Sequence, residues 1–461
     1  MSTVNPGLSH TEALLTPLQR LGFTALMWFL FILHSRVFDM GMWWLHIPSL
    51  VLGFSIAVAC VSRGLMLGFF NRTGAVLLLL TAWMCFSTAF SVWRGGSVNT
   101  LSQWLKSVLI YFVVAALIHT WPQFRKTYSV LAISVFVLAL STLAFGHPND
   151  DGRLALGRGR FGNPNDLAQI LLMSLPFWYF IATRPGARAS RRALAWLASV
   201  PIFITIALTG SRGALIATAA LLLVLFVRSS MKHKLQLALA GIVLIVCAAA
   251  TLPAGLQRRY FTFFHAGLPP DTYAILNAPE TEDTATRSTE SRWALLRDSV
   301  ILTVRNPVFG VGTGVFDVAQ NKYSMEMHGV KGGWQHTHNS YTEMSSENGI
   351  PALLLYLLLI VFAWRAARIR RPRLAPLSPR QADIAAAAAA LRLSLFTFCI
   401  SALFGSFAYH PQLLVVAGLA MALNRIAASE FPKTSTTAVV PAGAPFRMRR
   451  ITAPVWGRRA A

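Results

Sequence analysis

Acidic side chains are scarce in this sequence, and charge of either sign is limited. Only 17 of the 461 residues are Asp or Glu, 13% are charged, and 55% are hydrophobic. Soluble globular domains carry about 25% charged residues, roughly twice this share. The shortage of charge, together with long apolar runs, excludes an ordinary soluble fold and indicates a membrane protein.

Cysteine is also rare, and its placement argues against two further kinds of site. Cys60, Cys85, Cys247 and Cys399 all fall within apolar runs. Because no pair lies in a polar loop, the sequence predicts neither a disulfide framework nor a thiolate metal site.

The apolar residues come in twelve stretches suited to crossing a bilayer. In the hydrocarbon core every backbone group needs an internal partner, so each stretch is expected to be a helix. We therefore predict an all-α polytopic membrane protein with about twelve transmembrane helices. The predicted spans are 21–35, 43–61, 73–93, 98–119, 127–145, 165–183, 193–209, 213–227, 235–253, 350–364, 384–408 and 411–424.

The net charge of +24 alone would suggest a nucleic-acid partner, but the positions of the charges along the chain do not. With a cytoplasmic N-terminus, most Lys and Arg fall in short cytoplasmic segments, whereas Glu12, Asp383 and Glu430 are the only acidic residues there. This asymmetry follows the positive-inside rule. The basicity therefore reports topology and an attraction to anionic membrane lipids, and no nucleic-acid partner is expected.

These spans divide the chain into four regions. Residues 1–253 hold the first nine transmembrane helices, 254–349 form a large periplasmic loop with the candidate catalytic segment, and 350–428 hold the last three helices. Residues 429–461 are expected to be a disordered cytoplasmic tail, because Thr, Pro, Ala and Arg dominate there. A loop as long as 254–349 is uncommon between helices unless it is functional.

The long loop is expected to contain short amphipathic helices. Trp293, Leu296, Val300 and Val304 recur at helical spacing and share one face. We expect this helix to lie on the bundle. The glycines at 310, 312 and 314 that follow are interpreted as a turn, since no strand precedes them and no phosphate loop is predicted.

A polar stretch runs from Trp334 to Glu343 at the end of the long loop, just before the apolar span 350–364. Asn339 or Ser340 can cap a short helix that Gly349 closes. His338 would then lie at the positive end of that helix, which lowers its pKa and keeps the imidazole neutral and able to accept a proton. The alternative is a capped interfacial turn whose histidines only bind water.

Two further outer motifs carry arginines. Asn163 can cap a helix that starts with Pro164, close behind Arg153, Arg158 and Arg160, and a helix start of this kind can bind an anion. The alternative is a capped turn with solvated arginines.

Arg212 lies between two predicted spans with almost no loop. Its guanidinium can contact lipid phosphate or grip a diphosphate inside a cavity.

Together these motifs combine a base with cations on one face. His338 is the candidate base and Arg160, Arg212, Arg287 and Arg292 are the candidate diphosphate ligands. No Asp-x-Asp motif is present, so we expect arginines rather than a metal ion to neutralise a leaving diphosphate. The secondary candidates are His336, which is the rival base, Asn163, Asn339 and Glu347.

The motifs resemble the O-antigen ligase superfamily over residues 150 to 365. The superfamily includes O-antigen ligases, O-antigen polymerases and protein O-oligosaccharyltransferases. The segments that carry the resemblance are Arg160–Asn165, Gly210–Gly213, Arg292-Trp293, Asn306–Gly312, His338–Tyr341 and Glu347–Gly349.

For the ligase branch, which we favour, the resemblance implies transfer of a glycan from undecaprenyl diphosphate to a sugar hydroxyl of lipid A–core. It implies a multi-pass protein of the bacterial inner membrane with a periplasmic site and no metal, nucleotide or other cofactor. It also implies essential roles for Arg212, for one of Arg287 and Arg292, and for His338. The open alternatives are a polymerase, a protein O-oligosaccharyltransferase and, from another class, a transporter. Transport is disfavoured because Lys106 and Arg392 are too few charges for a relay.

The charge asymmetry predicts that the 254–349 loop faces the periplasm. We expect a cysteine introduced by Pro270→Cys, in a chain without its native cysteines, to react with a membrane-impermeant maleimide added to intact cells with a permeabilised outer membrane. Reaction only after the inner membrane is opened would reverse the topology.

Overall fold

Helices form nearly all the regular structure in this chain. The computed structural model describes residues 15–62, 66–149, 151–157, 159–184, 186–231, 252–261, 284–369 and 376–431, with scattered residues between 234 and 250. Within these ranges, the side chains of residues 39, 40, 43, 66, 67, 159, 160, 261 and 284–290 are not described.

Besides the helices, the described residues include a small antiparallel hairpin. Its two strands, β1 (His147–Pro148) and β2 (Leu154–Ala155), pair His147 with Ala155. Short 3₁₀ turns are Val37–Met40, Trp43–Leu45 and Gly159–Gly162. The α-helices are α1 (Pro17–Ser35), α2 (Ile47–Val61), α3 (Met66–Phe69), α4 (Arg72–Ala89), α5 (Arg94–Leu117), α6 (Trp121–Phe145), α7 (Pro164–Thr183), α8 (Ala189–Leu208), α9 (Arg212–Arg228), α10 (Ala254–Phe261), α11 (Thr284–Arg305), α12 (Phe316–His328), α13 (Ser340–Ala366), α14 (Pro379–Ser401) and α15 (Pro411–Glu430).

The all-α polytopic architecture is confirmed. Among the described residues, nine helices are long and apolar enough to cross a membrane: α1, α4 to α8, and α13 to α15. The shorter helices α2 and α9 coincide with the predicted spans 43–61 and 213–227. The predicted span 235–253 and the tail from residue 432 fall largely or wholly outside the described residues. The count of twelve therefore stays a prediction.

The bundle core is held by buried aromatic residues and by hydrogen bonds between helices. Tyr128 of α6 is fully buried, and its hydroxyl donates to the carbonyl of Ala387 in α14 at 2.7 Å. Ser394 of α14 donates to the carbonyl of Met173 in α7 at 2.8 Å. Small and hydroxyl side chains at such contacts let helices approach closely and satisfy polar groups away from water.

Helix α13 is broken near its start. At Gly349 the backbone is non-helical, with φ 82° and ψ 172°. A Cβ there would collide with the carbonyl of Val308, so only glycine suits this position. The break separates a short helix, 340–348, from the long apolar span, as the sequence predicts.

The predicted span 384–408 is wrong at its end. Helix α14 stops at Ser401, and residues 402–410 form a loop that folds back over the start of α13. The N–H of Ser340 donates to the carbonyl of Ala402 at 2.8 Å, and the Ser340 hydroxyl accepts from Phe407 N–H at 2.8 Å. Because α13 supplies these partners, an apolar segment need not be helical here.

The expected packing face of α11 is also wrong. Trp293, Val300 and Val304 are 51%, 49% and 72% exposed, whereas Leu295 and Leu302 are 2% and 5% exposed. The buried leucines cluster with residues of α12, chiefly Phe316 and Tyr323. Helical spacing identifies an apolar stripe but does not say which side meets a partner helix.

This packing predicts different effects for two neighbouring residues. Leu302→Ala should cost about 2–5 kcal/mol of local stability because it leaves a cavity between α11 and α12. Val304→Ala, a matched truncation on the exposed side, should stay within about 0.5 kcal/mol. Hydrogen exchange followed by mass spectrometry over residues 316–328 checks both, and faster exchange in the Val304 variant alone would contradict the assignment.

Candidate active site

His338 is held in an uncommon backbone conformation directly before α13. Its φ is 53°, in the left-handed region that non-glycine residues rarely occupy. Its N–H donates to the hydroxyl of Ser406 at 3.0 Å, so the 402–410 loop fixes the strained residue. Strain of this kind persists where surrounding contacts over-determine it, often at functional sites.

Asn339 caps the short helix, as the sequence predicts. Its side-chain oxygen accepts from the N–H groups of Tyr341 at 3.0 Å and Thr342 at 3.2 Å. A cap of this type contributes about 0.5–2 kcal/mol to a helix. It fixes the direction in which α13 leaves the histidine segment.

Two buried carboxylates of the short helix have different environments. Glu347 accepts from the Tyr409 hydroxyl, from Gly314 N–H at 2.7 Å and from Phe316 N–H at 3.1 Å. Glu347 thereby links the short helix to the loop that carries Tyr409 and to the segment from Gly314 to Phe316. It does not line either cavity described below. Glu343 accepts from Ala408 N–H at 3.1 Å and faces a cavity.

The start of α7 matches the predicted capping motif. Asn163 is the N-cap, its side chain accepts from Asn165 N–H at 2.9 Å, and Pro164 occupies the first turn with Asp166. Asn165 in turn accepts from the guanidinium of Arg153 at 2.8 Å.

Two buried arginines grip the turn that precedes Arg212. The Nε of Arg153 donates to the carbonyl of Thr209 at 2.8 Å, and the Nε of Arg259 donates to that of Gly210 at 3.2 Å. Arg153 and Arg259 are 6% and 5% exposed. Gly210 has φ 59°, and the side chains of both arginines lie against it.

These arginines open onto a cavity of about 500 Å³, the cationic cavity, which Arg153, Arg259, Arg292, Asp151 and His338 line. Burial, then the charges of Arg259 and Arg292, lower the pKa of Arg153 to about 9. Burial, then the charges of Arg212 and Arg259, lower the pKa of Arg292 to about 10. Clustered buried cations with one carboxylate nearby suit an anionic ligand.

A second cavity of about 410 Å³, the acidic cavity, adjoins the cationic cavity and shares three lining residues with it. Asp166, Glu343, His336 and His410 line it, and no Lys or Arg belongs to its described lining. The Asp166 carboxylate lies 3.8 Å from Nε2 of His410. Asn163, Asn165 and His338 line both cavities.

His338 is neutral over the physiological pH range. Burial lowers the pKa of His338 to about 3, and the charged Arg292, the nearby His336 and the charged Arg153 add to the effect. The direction agrees with the sequence prediction, and burial is its largest cause. A neutral imidazole at the junction of both cavities is able to accept a proton.

The remaining sequence candidates fall into three groups. Arg212 is 6% exposed, begins α9 and lies near enough to Arg292 to lower its pKa, but it does not line either cavity. His336 lines the acidic cavity only. The side chains of Arg160 and Arg287 fall outside the described part of the chain.

Sequence reasoning missed Arg259 and did not choose Arg153. The only available signal was the pair Arg258-Arg259 near the start of the outer loop, which periodicity does not link to Arg212. Ser406 was missed because it falls within the predicted span 384–408, and Tyr409 because it falls in the two-residue connection before the predicted span 411–424. Over the described residues, no group of three or more His, Cys, Asp or Glu side chains is arranged to hold a metal ion.

The fold and these cavities define a multi-pass membrane protein with a polar, arginine-lined site. Residues 197–357 match the protein family described as O-antigen ligase, a segment that includes Arg212, Arg292 and His338. The matched segment is 161 of the 461 residues, and it agrees with the resemblance to the O-antigen ligase superfamily that the motifs carry. Members of that family are glycosyltransferase-type enzymes that act on lipid-linked glycans.

A search of curated proteins finds no match. One similar solved chain comes from a structure described as "Structural coordination of polymerization and crosslinking by a peptidoglycan synthase complex". It is 16% identical with a TM-score of 0.41, over 78% of this chain and 98% of that chain. That TM-score is too low to support an argument.

The electrostatics predict that Arg292→Gln raises the pKa of His338 by about one pH unit, because removing a neighbouring positive charge favours the imidazolium. The pH dependence of diethyl pyrocarbonate modification, read by mass spectrometry on the His338 peptide, measures this. Arg305→Gln, on the same helix but stacked over Tyr323, is the matched control and should leave the profile unchanged. An unchanged profile in the Arg292 variant would contradict the assignment.

Proposed function

We propose that this protein is an O-antigen ligase of the bacterial inner membrane. It transfers a polysaccharide from undecaprenyl diphosphate to a sugar hydroxyl of lipid A–core on the periplasmic face, with inversion and without a metal ion. The observation that carries the proposal is a neutral His338 at the junction of an arginine-lined cavity and a second polar cavity.

The cationic cavity suits the diphosphate of the donor. Arg153, Arg259 and Arg292 offer planar guanidinium groups that can bind phosphate oxygens in pairs. Charge builds up on the diphosphate as its bond to the anomeric carbon breaks, and fixed cations in a water-poor site stabilise that charge. Arg212 lies close behind and adds to the positive potential.

His338 takes the proton of the acceptor hydroxyl. The hydroxyl oxygen forms a bond to the anomeric carbon, the bond from that carbon to the diphosphate oxygen breaks, and the proton passes to the imidazole. An imidazole with a pKa of about 3 is a weak base. The bound diphosphate offsets the charges of the arginines and so raises the pKa of His338, while burial, the largest cause of the lowering, remains.

The choice of lipid A–core as the acceptor rests on the resemblance of the motifs to the ligase branch. A polymerase or a protein O-oligosaccharyltransferase would use the same donor chemistry with a different acceptor. Purified protein given a lipid-linked glycan and separate lipid A–core, glycan and pilin-like acceptors distinguishes the three.

The proposal predicts that His338→Ala lowers transfer about 100- to 10,000-fold, the usual contribution of a general base. Binding of the lipid-linked donor in nanodiscs should persist, because the arginines hold the diphosphate. His336→Ala, two residues away but outside the cationic cavity, is the matched control and should have the milder effect.

The outcomes separate the two histidines. Normal transfer by the His338 variant with an inactive His336 variant would make His336 the base. Activity in both variants would show that neither His336 nor His338 is the base and would leave Glu343, which faces the acidic cavity, as the next candidate.

A further inference from the structure

We infer that the acidic cavity binds the reacting sugar of the acceptor, and that Asp166 makes this subsite selective for acceptor sugars that carry no phosphate. The inference rests on the proposed function, and it assigns a ligand class to a cavity separate from the one that suits the diphosphate.

The geometry of an inverting displacement gives the first reason. The attacking oxygen and the leaving oxygen lie on opposite sides of the anomeric carbon. With the diphosphate in the cationic cavity, the acceptor hydroxyl must approach from elsewhere and still reach His338. The acidic cavity meets both requirements, because it shares His338, Asn163 and Asn165 with the cationic cavity.

The division of charge between the cavities gives the second reason. Arg153, Arg259 and Arg292 line one cavity, whereas Asp166 and Glu343 line the other without any described Lys or Arg. Carboxylates accept hydrogen bonds from sugar hydroxyls, and the carboxamides of Asn163 and Asn165 add both donors and acceptors. A phosphate in this cavity would face the Asp166 carboxylate, and no Lys or Arg belongs to the described lining. We therefore expect the cavity to disfavour a phosphate.

Asp166 is well placed to enforce this selection. It stands in the first turn of α7, whose start is fixed by the Asn163 cap and Pro164, and its carboxylate lies 3.8 Å from Nε2 of His410. Glu343 is 4% exposed and one of its oxygens is held by Ala408 N–H. Asp166 is therefore the more accessible of the two carboxylates to a sugar that enters.

The same division keeps the substrates apart. A diphosphate is drawn to the arginines and repelled by Asp166, and a sugar free of phosphate gains little from the arginines. The acceptor and donor therefore do not compete for one subsite, although their reacting atoms meet at His338.

The experiment compares Asp166→Asn with Asp151→Asn, the same substitution in the cationic cavity. The probes are lipid A–core with an unmodified terminal sugar, the same molecule with a phosphate on that sugar, and undecaprenyl diphosphate. Binding of each to protein in nanodiscs is measured without turnover, and acceptor KM is then measured with a lipid-linked donor.

We expect the wild-type protein to bind the unmodified acceptor about tenfold or more tightly than the phosphorylated one. Asp166→Asn should reduce that preference to about threefold or less. Its affinity for undecaprenyl diphosphate should not weaken, which also shows that the variant is folded. Asp151→Asn should leave the acceptor preference unchanged and strengthen binding of undecaprenyl diphosphate, because it removes a negative charge beside Arg259.

Three results would overturn the inference: an acceptor preference that survives in Asp166→Asn, weaker diphosphate binding as the main effect of that variant, or no binding of either acceptor. The expected binding pattern without any glycan transfer would support the subsite and reject the proposed ligase reaction. The two failures are thereby distinguishable.

Discussion

Backbone groups at a membrane boundary must find hydrogen-bond partners within the protein. The break in α13 leaves several peptide groups that need such partners. Around Gly349 the peptide groups of α13 form hydrogen bonds to the segment after α11 instead of to their own helix. Ile350 N–H donates to the carbonyl of Pro307 at 2.8 Å, and Gly312 N–H donates to that of Glu347 at 2.9 Å. The segment between α11 and α12 is therefore hydrogen-bonded to the helix that His338 precedes.

The electrostatics of the site depend on this attachment. Because α11 is held against α13, Arg292 lies close enough to His338 to lower its pKa. Arg153 and Arg259 approach from another side and are fixed by carbonyls of the turn before α9. Buried like charges are costly in a protein without a ligand, and such a cost is commonly retained where a site must bind an ion of opposite charge.

Much of the fold and part of the site could be predicted from the sequence. Lipid demands long apolar helices, so the spans are visible as apolar runs, and the caps at Asn163 and Asn339 depend on neighbours within three residues. Arg259 could not be predicted as part of the site, because its contact with Gly210 joins residues that no local pattern relates. The 402–410 loop was missed because its partners lie in α13, and composition alone resembles a span.

The order in which the chain is made has a consequence for when the site exists. Membrane proteins are synthesised from the N-terminus, and earlier segments fold first. His338 depends on Ser406 for its backbone conformation, and His410 and Tyr409 close the acidic cavity. These residues leave the ribosome after all the arginines of the cationic cavity. A nascent or prematurely terminated chain that lacks residues 402–410 therefore carries the arginines of the cationic cavity without the hydroxyl that holds His338 in place.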